Sequence, residues 1–385
     1  MKLLIANDFF APTIAGGADL FLKELSEYLK NDGFEPVILT SSFVKDTGFK
    51  TYRVDSSPFH FAHMRQIPGL TLPWNFSSAL EKKVTGIIER EKIDFFYANN
   101  TYHLSFSVLT AAQKMRIPSL LDVHDYWPIC FSKDLYKDDR EFCQKGESWE
   151  CSTCLSKKFS APLFPLAIPL LRMESRMKRE VLSGMRKVCH SEFVKKQLEK
   201  FGHESEVIPY PFFGKHGTRE HGKRKIVFMG RLTKNKGADL LVPLAQELED
   251  VEIDIIGKGP LSSKLDRKDI GINLRGFMGD ERFDILKGAS ALIAPSRWPE
   301  PFGIVALEAA AYGIPTVALK GSGGLAELVS KEGIGQVCSE GRLADCVMDV
   351  IEKTADYESV CKAAMKNYGK ESIFKRYRKL FETRD

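Results

Sequence analysis

Short apolar runs rich in β-branched residues alternate with helical patterns from one end of the chain to the other, and this alternation most constrains the fold. Strands separated by helices pair in parallel through right-handed crossovers, so parallel sheets are expected. In the first half, strands are expected at Lys2–Ala6, Pro36–Thr40, Phe95–Ala98, Ser119–Val123, Lys187–His190 and Glu206–Pro209. In the second half they are expected at Lys225–Met229, Glu252–Ile256, Asn273–Gly276, Ala291–Ala294, Thr316–Leu319 and Gln336–Cys338. The clearest helix is Ala18–Lys30, where Leu22, Leu25 and Leu29 form one apolar stripe ahead of the Asp32-Gly33 stop.

The two series are separated at 213–224, a polar segment with three glycines and four cationic residues and no apolar periodicity. A length of 385 residues, 43% of them apolar, suits two domains with substantial cores. The reading is therefore α/β, with two Rossmann-like doubly wound domains facing a central cleft. The first spans 1–212, the linker 213–224 and the second 225–368. Ligands of such sheets bind beyond the carboxyl ends of the strands.

Lys and Arg exceed Asp and Glu by 56 − 51 = 5, a mild excess far from a nucleic-acid-binding signature. The N-terminal apolar stretch is too short for a secretory signal, and no apolar run would span a bilayer. A cytoplasmic location is expected, where eight cysteines would meet a reducing milieu. The first strand leads into Asn7-Asp8-Phe9-Phe10-Ala11-Pro12 without a G-x-G-x-x-G turn, which argues against a nicotinamide oxidoreductase.

Two constellations carry chemistry. Ser296-Arg297-Trp298-Pro299-Glu300-Pro301-Phe302-Gly303 follows one expected strand; the prolines keep Glu300 in a loop, and Gly303 opens a helix carrying Glu308. Free N–H groups at that helix start would hold phosphate or sugar oxygens, with a carboxylate on either side accepting hydroxyl hydrogen bonds. Gly230-Arg231-Leu232-Thr233-Lys234-Asn235-Lys236-Gly237 follows another strand. There Arg231 can grip phosphate oxygens in two-pronged fashion and Lys236 adds a point charge.

Glu300-x7-Glu308 together with Gly230-Arg231-x4-Lys236-Gly237 resembles the retaining nucleotide-sugar transferases of glycosyltransferase family 4, which have the two-domain GT-B fold. The likeness covers nearly the whole chain. It includes Gly16-Gly17-Ala18, Val123-His124-Asp125, His190-Ser191-Glu192-Phe193, Val207-Ile208-Pro209, Gly257-Lys258-Gly259-Pro260 and Leu274-Arg275-Gly276-Phe277. The resemblance implies that Arg231 and Lys236 neutralise the leaving diphosphate beside Gly230. It gives Glu308 the ribose hydroxyls and Glu300 the sugar hydroxyls near C3 and C4. Phe302 and Gly303 would offer backbone N–H groups to the sugar, within a donor loop that extends from Pro301 to Ile304. Phe277 and Met278, beside Gly276, would flank the base, while Gly16, Gly17 and His124 would approach the donor from the first domain. It further implies hexosyl transfer from a UDP- or GDP-sugar to a saccharide or lipid-linked acceptor in cell-surface polysaccharide or glycolipid assembly. The leaving phosphate itself would take the acceptor's proton, with no protein nucleophile and no catalytic metal. A C-terminal helix, 369–385, would cross back to the first domain. A nucleotide-sugar 2-epimerase and a non-catalytic nucleotide-sugar-binding protein are the competing readings.

The region from Cys130 to Arg179 breaks the alternation and reads as an insertion. Cys130, Cys143, Cys151 and Cys154 have the spacing C-x12-C-x7-C-x2-C, whose last step is a short chelating pair, so a structural zinc stands beside reduced thiols and disulfides as a reading. The prolines of Ala161–Leu171 argue against a continuous helix there. Its basic, apolar flanks suit peripheral contact with the inner membrane face, or plain packing on the domain.

Overall fold

The computed structural model describes residues 1–13, 16–42, 44–54, 77–101, 104–137, 141–159, 168–220, 224–248 and 250–383. Most of Ala161–Leu171 and part of the 213–224 segment lie outside them. Chain order runs β1 (Lys2–Asn7), α1 (Gly17–Asn31), β2 (Glu35–Ser41), β3 (Lys50–Val54), α2 (Ser78–Glu91), β4 (Phe95–Asn100), α3 (Ser107–Lys114) and β5 (Ser119–Val123). The insertion follows with β6 (Tyr136–Lys137), β7 (Glu141–Phe142), α4 (Cys151–Phe159) and α5 (Ile168–Ser183). Then β8 (Arg186–Cys189), α6 (Glu192–Glu199) and β9 (Glu206–Val207) close the first series.

The second series is β10 (Lys225–Met229), α7 (Leu241–Glu247), β11 (Glu252–Ile256), β12 (Ile272–Gly276), α8 (Arg282–Lys287), β13 (Ala291–Ala294) and α9 (Ile304–Ala310). It continues with β14 (Thr316–Leu319), α10 (Gly324–Glu332), β15 (Gly335–Cys338), α11 (Leu343–Glu352), α12 (Thr354–Ala364) and α13 (Lys370–Glu382). All twelve expected strands form, with bounds within two residues. Not foreseen were β3, whose Lys-Thr-Tyr-Arg-Val run sits polar and half-exposed at a sheet edge, and the β6–β7 hairpin.

The first sheet is ordered β3-β2-β1-β4-β5-β8-β9 and the second β12-β11-β10-β13-β14-β15, both wholly parallel. In each, the order reverses direction between two neighbours, β1 and β4 in the first and β10 and β13 in the second. Loops after those strands must splay apart, which opens a crevice at the carboxyl edge. One continuous apolar cluster runs from Leu3, Phe21 and Tyr97 through Phe212 to Leu292, Leu307 and Phe374, joining both domains. The helix α13 contributes Phe374, Tyr377 and Phe381 to it, with Phe381 edge-on to Phe95 and Tyr97 of β4. Among the described residues no helix is long and apolar enough to cross a membrane.

Candidate active site

The two motif loops are 65 or so residues apart in sequence but follow the adjacent strands β10 and β13, at the point where the second sheet reverses. They are stitched together through Asn235, whose carbonyl accepts the N–H groups of Arg297 at 2.9 Å and Trp298 at 3.0 Å. Gly237 has φ +71° and passes so close to Pro295 that a Cβ would overlap its carbonyl oxygen, so only glycine fits there.

Pro299-Glu300-Pro301 resolves into an alternation. The proline carbonyls face the first domain: Pro299 accepts from the Tyr126 hydroxyl at 2.8 Å and Pro301 from the Ser191 hydroxyl at 2.7 Å. The Glu300 backbone faces the other way, donating to Ser322 O at 3.0 Å and accepting from Gly324 N–H at 2.7 Å. Its side chain is left pointing at β10's loop, where Glu300 Oε1 meets Lys236 Nζ at 2.7 Å. The same ammonium lies 4.6 Å from the centre of the Trp298 ring. Trp298 is anchored in turn by its indole N–H, which donates to Asp134 O of the insertion at 2.6 Å.

Arg231 lies on this loop with its carbonyl accepting from Thr233 N–H at 2.9 Å and an exposed side chain that makes no hydrogen bond or ion pair to any described residue. Glu308, five residues into α9 counting from Ile304, is paired with Arg282 at 2.7 Å and largely covered. Sequence reasoning missed Arg282, because nothing in spacing links α8 to α9. Phe277 is 75% exposed beside Gly276, whereas Met278 packs on the core. Across the cleft, Gly16 and Gly17 sit at the start of α1, and a Cβ on Gly17 would come within 2.7 Å of Ile304 Cδ1. Phosphate oxygens reaching the loop after β10 would meet the Arg231 and Lys236 charges.

His124 is placed differently from the other candidates. Its ring is buried, with Nε2 bonded to Asn99 Oδ1 at 2.6 Å and Nδ1 facing the Tyr210 hydroxyl and His190 Nε2, the latter at 3.0 Å. His190 Nδ1 donates to the Ile208 carbonyl at 2.9 Å. Asp122 lies beneath both imidazoles, its Oδ1 3.1 Å from His190 Nε2, while its Oδ2 accepts the hydroxyls of Tyr97 and Tyr377, each at 2.7 Å. The ligand atoms of Asp122, His124 and His190 gather within 4.8 Å, but every ring nitrogen already has a protein partner, so they form a hydrogen-bonded hub. Burial would raise the Asp122 carboxyl, yet His124, His190 and the Tyr97 hydroxyl outweigh it and hold it at about 2. Burial pushes the His124 imidazole down to about 3 against the pull of Asp122.

This hub makes the fold acid-sensitive. Burial also lowers His203 to about 4, so native His124 and His203 stay neutral through a range in which the unfolded chain protonates them. Their contribution is complete above the ordinary histidine value, near 6.5, and is lost as pH falls below it. Glu174, which burial raises to about 8, runs the opposite way and offsets one of the two protons. Stability should therefore fall by roughly 1 kcal/mol per pH unit from pH 6.5 to 5. Denaturant midpoints measured across that range check it; a flat profile rejects it.

The family model for glycosyltransferase family 4 matches residues 15–212, and that for glycosyl transferases group 1 matches residues 213–371. The chain belongs to glycosyltransferase family 4. It is 26% identical over 348 residues to an uncharacterized glycosyltransferase of Methanocaldococcus jannaschii, covering 86% of this chain and 83% of that one. A GDP-mannose-dependent alpha-(1-6)-phosphatidylinositol dimannoside mannosyltransferase of Mycobacterium tuberculosis is 31% identical over 147 residues, 35% of this chain and 38% of its own. Among solved structures, Anabaena HepE in complex with UDP and glucose superposes with a TM-score of 0.67 at 17% identity, covering 100% of both chains. Staphylococcus aureus TarM, solved with fondaparinux, alpha-GlcNAc-glycerol and UDP, superposes at 0.68 with 12% identity, covering 99% of this chain and 100% of that one. The fold of this family-4 glycosyltransferase is thus GT-B.

Proposed function

We propose that this glycosyltransferase moves a hexosyl group from a UDP- or GDP-sugar to an acceptor hydroxyl with retention of anomeric configuration. The observation that carries the reading is the Lys236–Glu300 pair, which joins the two motif loops at the switch point of the second sheet. In this reading Lys236 is the cation for the diphosphate and Glu300 the carboxylate for the sugar, with Arg231, whose side chain has no partner among the described residues, on the same loop. Charge developing on the leaving oxygen would be met by Arg231 and Lys236, and positioning plus charge stabilisation would supply the catalysis. Glu308, held by Arg282, suits ribose hydroxyls, and the exposed Phe277 suits the face of a base. The UDP in HepE and TarM and the GDP-mannose of the mycobacterial relative support a nucleoside-diphosphate donor. On α5, the exposed Arg172, Met173, Arg176 and Arg179 favour a lipid-linked saccharide acceptor at an anionic cytoplasmic membrane face, in cell-surface polysaccharide or glycolipid assembly.

Thermal-shift titration with UDP, GDP and their sugars should single out one nucleoside diphosphate, since a ligand of the folded state raises its melting temperature. Proton NMR of the product, made with free and lipid-linked saccharides as acceptors, should show the donor's anomeric configuration. An inverted product, or no stabilisation by any nucleotide, rejects the reading.

A further inference from the structure

Four cysteines are left unused by the chemistry of the cleft. Cys130 lies in the turn after β5, Cys143 directly follows the β6–β7 hairpin, and Cys151 and Cys154 are one turn apart at the start of α4. These separate pieces of chain bring all four cysteines to the lining of one pocket, together with Phe131, Tyr136 and Leu155, although no three of the sulfurs lie within 4.8 Å of one another before metal binding draws them in. None of the four is in a disulfide. The Ser148 N–H already points at Cys151 Sγ, at 3.3 Å, the kind of donor that stabilises a sulfur carrying negative charge. Among the described residues the insertion's separate cluster is small, Phe131, Leu155 and Leu171 with Cys151 packed against it, while Cys130 and Leu135 join the first domain's core and Phe142 and Cys143 lie against that core. The half of the insertion around Cys151 and Cys154 has only this small cluster, and loop-rich units with so little core of their own gain most from a covalent or metal staple.

We propose that Cys130, Cys143, Cys151 and Cys154 bind one zinc ion as a closed structural site, and that this site holds the turn on which Trp298 rests. Four soft thiolates with a C-x2-C step are the donor set that selects tetrahedral zinc. Lys137 and Glu150, an ion pair at 3.3 Å, also line the pocket. Between the first two ligands lies a strained turn: Lys133 and Leu135 have φ of +58° and +49°, rare for residues with side chains. The ligands' own backbones clasp it, Cys130 O accepting from Lys133 N–H at 3.0 Å and Cys143 N–H donating to Leu135 O at 2.7 Å. Asp134, at the centre of the turn, offers the carbonyl that anchors the Trp298 indole. The link from the metal to Lys236 and Glu300 therefore runs through Trp298, and this second half of the inference rests on the donor-site reading above.

The test uses the full chain, expressed with added zinc and purified without chelators. Elemental analysis should find one zinc per chain, and cobalt substitution should give thiolate-to-cobalt charge-transfer bands with intense tetrahedral d–d bands. Cys143→Ser and Cys154→Ser should lose the metal, whereas Cys361→Ser, at a buried cysteine elsewhere, should keep it. Should the serine variants fail to fold, the wild-type zinc content and cobalt spectrum still decide. Substoichiometric metal with four titratable thiols, or two disulfides by mass, would overturn the site. Stripping the zinc should weaken UDP or GDP binding, with recovery on adding Zn2+ and none on adding Mg2+. Unaltered nucleotide affinity in zinc-free protein overturns the link to Trp298. Metal content does not depend on activity, so failure of the donor reading would leave the zinc result standing.

Discussion

Arg231→Ala is expected to lower kcat roughly 10²- to 10³-fold while leaving the protein folded, as loss of one donor to developing oxyanion charge does elsewhere. The separation of the two effects comes from where Arg231 sits. Its guanidinium is exposed and makes no hydrogen bond or ion pair with a described residue, so truncation should shift stability by no more than about 0.5 kcal/mol. Lys236→Ala is a different kind of variant. It leaves Glu300 without the partner at 2.7 Å and removes the cation over Trp298, so the sugar-binding carboxylate loses its aim as well as the phosphate its charge. Arg231→Ala should therefore act mainly on kcat, and Lys236→Ala on kcat and KM together. Arg231→Lys should recover only part of the rate, since an ammonium cannot make the two-pronged contact. Initial-rate kinetics beside melting curves measure all three. Wild-type turnover in both alanine variants rejects leaving-group stabilisation by this loop.

Much of this site was legible in the chain because its residues follow buried strands directly, and a buried parallel strand announces itself as an unbroken apolar run. Lys225–Met229 and Ala291–Ala294 are such runs, so the loops after them could be read before their adjacency was known. The edge strand β3 carries Lys50, Thr51 and Arg53 and looks like loop, because one side of it faces water. Pairings between elements leave no local pattern: Arg282 with Glu308, Tyr126 with Pro299, and Trp298 with Asp134 join positions far apart in sequence. His124 shows the limit most clearly. A histidine motif reads the same whether its ring faces the cleft or, as here, bonds within a buried hub built from β4, β5, the residues after β8 and β9, and α13.

That hub supports the second large effect. Asp122→Ala should destabilise the protein by about 3–5 kcal/mol, the cost of removing one side of a buried charged network. Asp122 is fully buried, and so are the Tyr97 and Tyr377 hydroxyls that donate to it; without the carboxylate both phenols lose their acceptor where water cannot replace it. Tyr377 is the informative partner because it comes from α13, the last helix of the chain, which lies against the first domain's sheet. Tyr377→Phe keeps the ring and removes only the hydroxyl, so it should cost about 1.5–3 kcal/mol, the range for a hydrogen bond to a charged group. The same helix also carries exposed ion pairs, Arg378 with Asp32 at 2.9 Å and Arg376 with Glu206 at 3.2 Å. Surface pairs of this kind are worth about 0–1 kcal/mol each, so Arg378→Ala should barely register beside Tyr377→Phe. Denaturant unfolding followed by tryptophan fluorescence ranks the three. If Arg378→Ala proves the costlier helix variant, α13 is held by surface charge and the buried hub is not its anchor. In the expected order, a single buried oxygen atom, Asp122 Oδ2, ties the chain's last helix to the strand beneath His124.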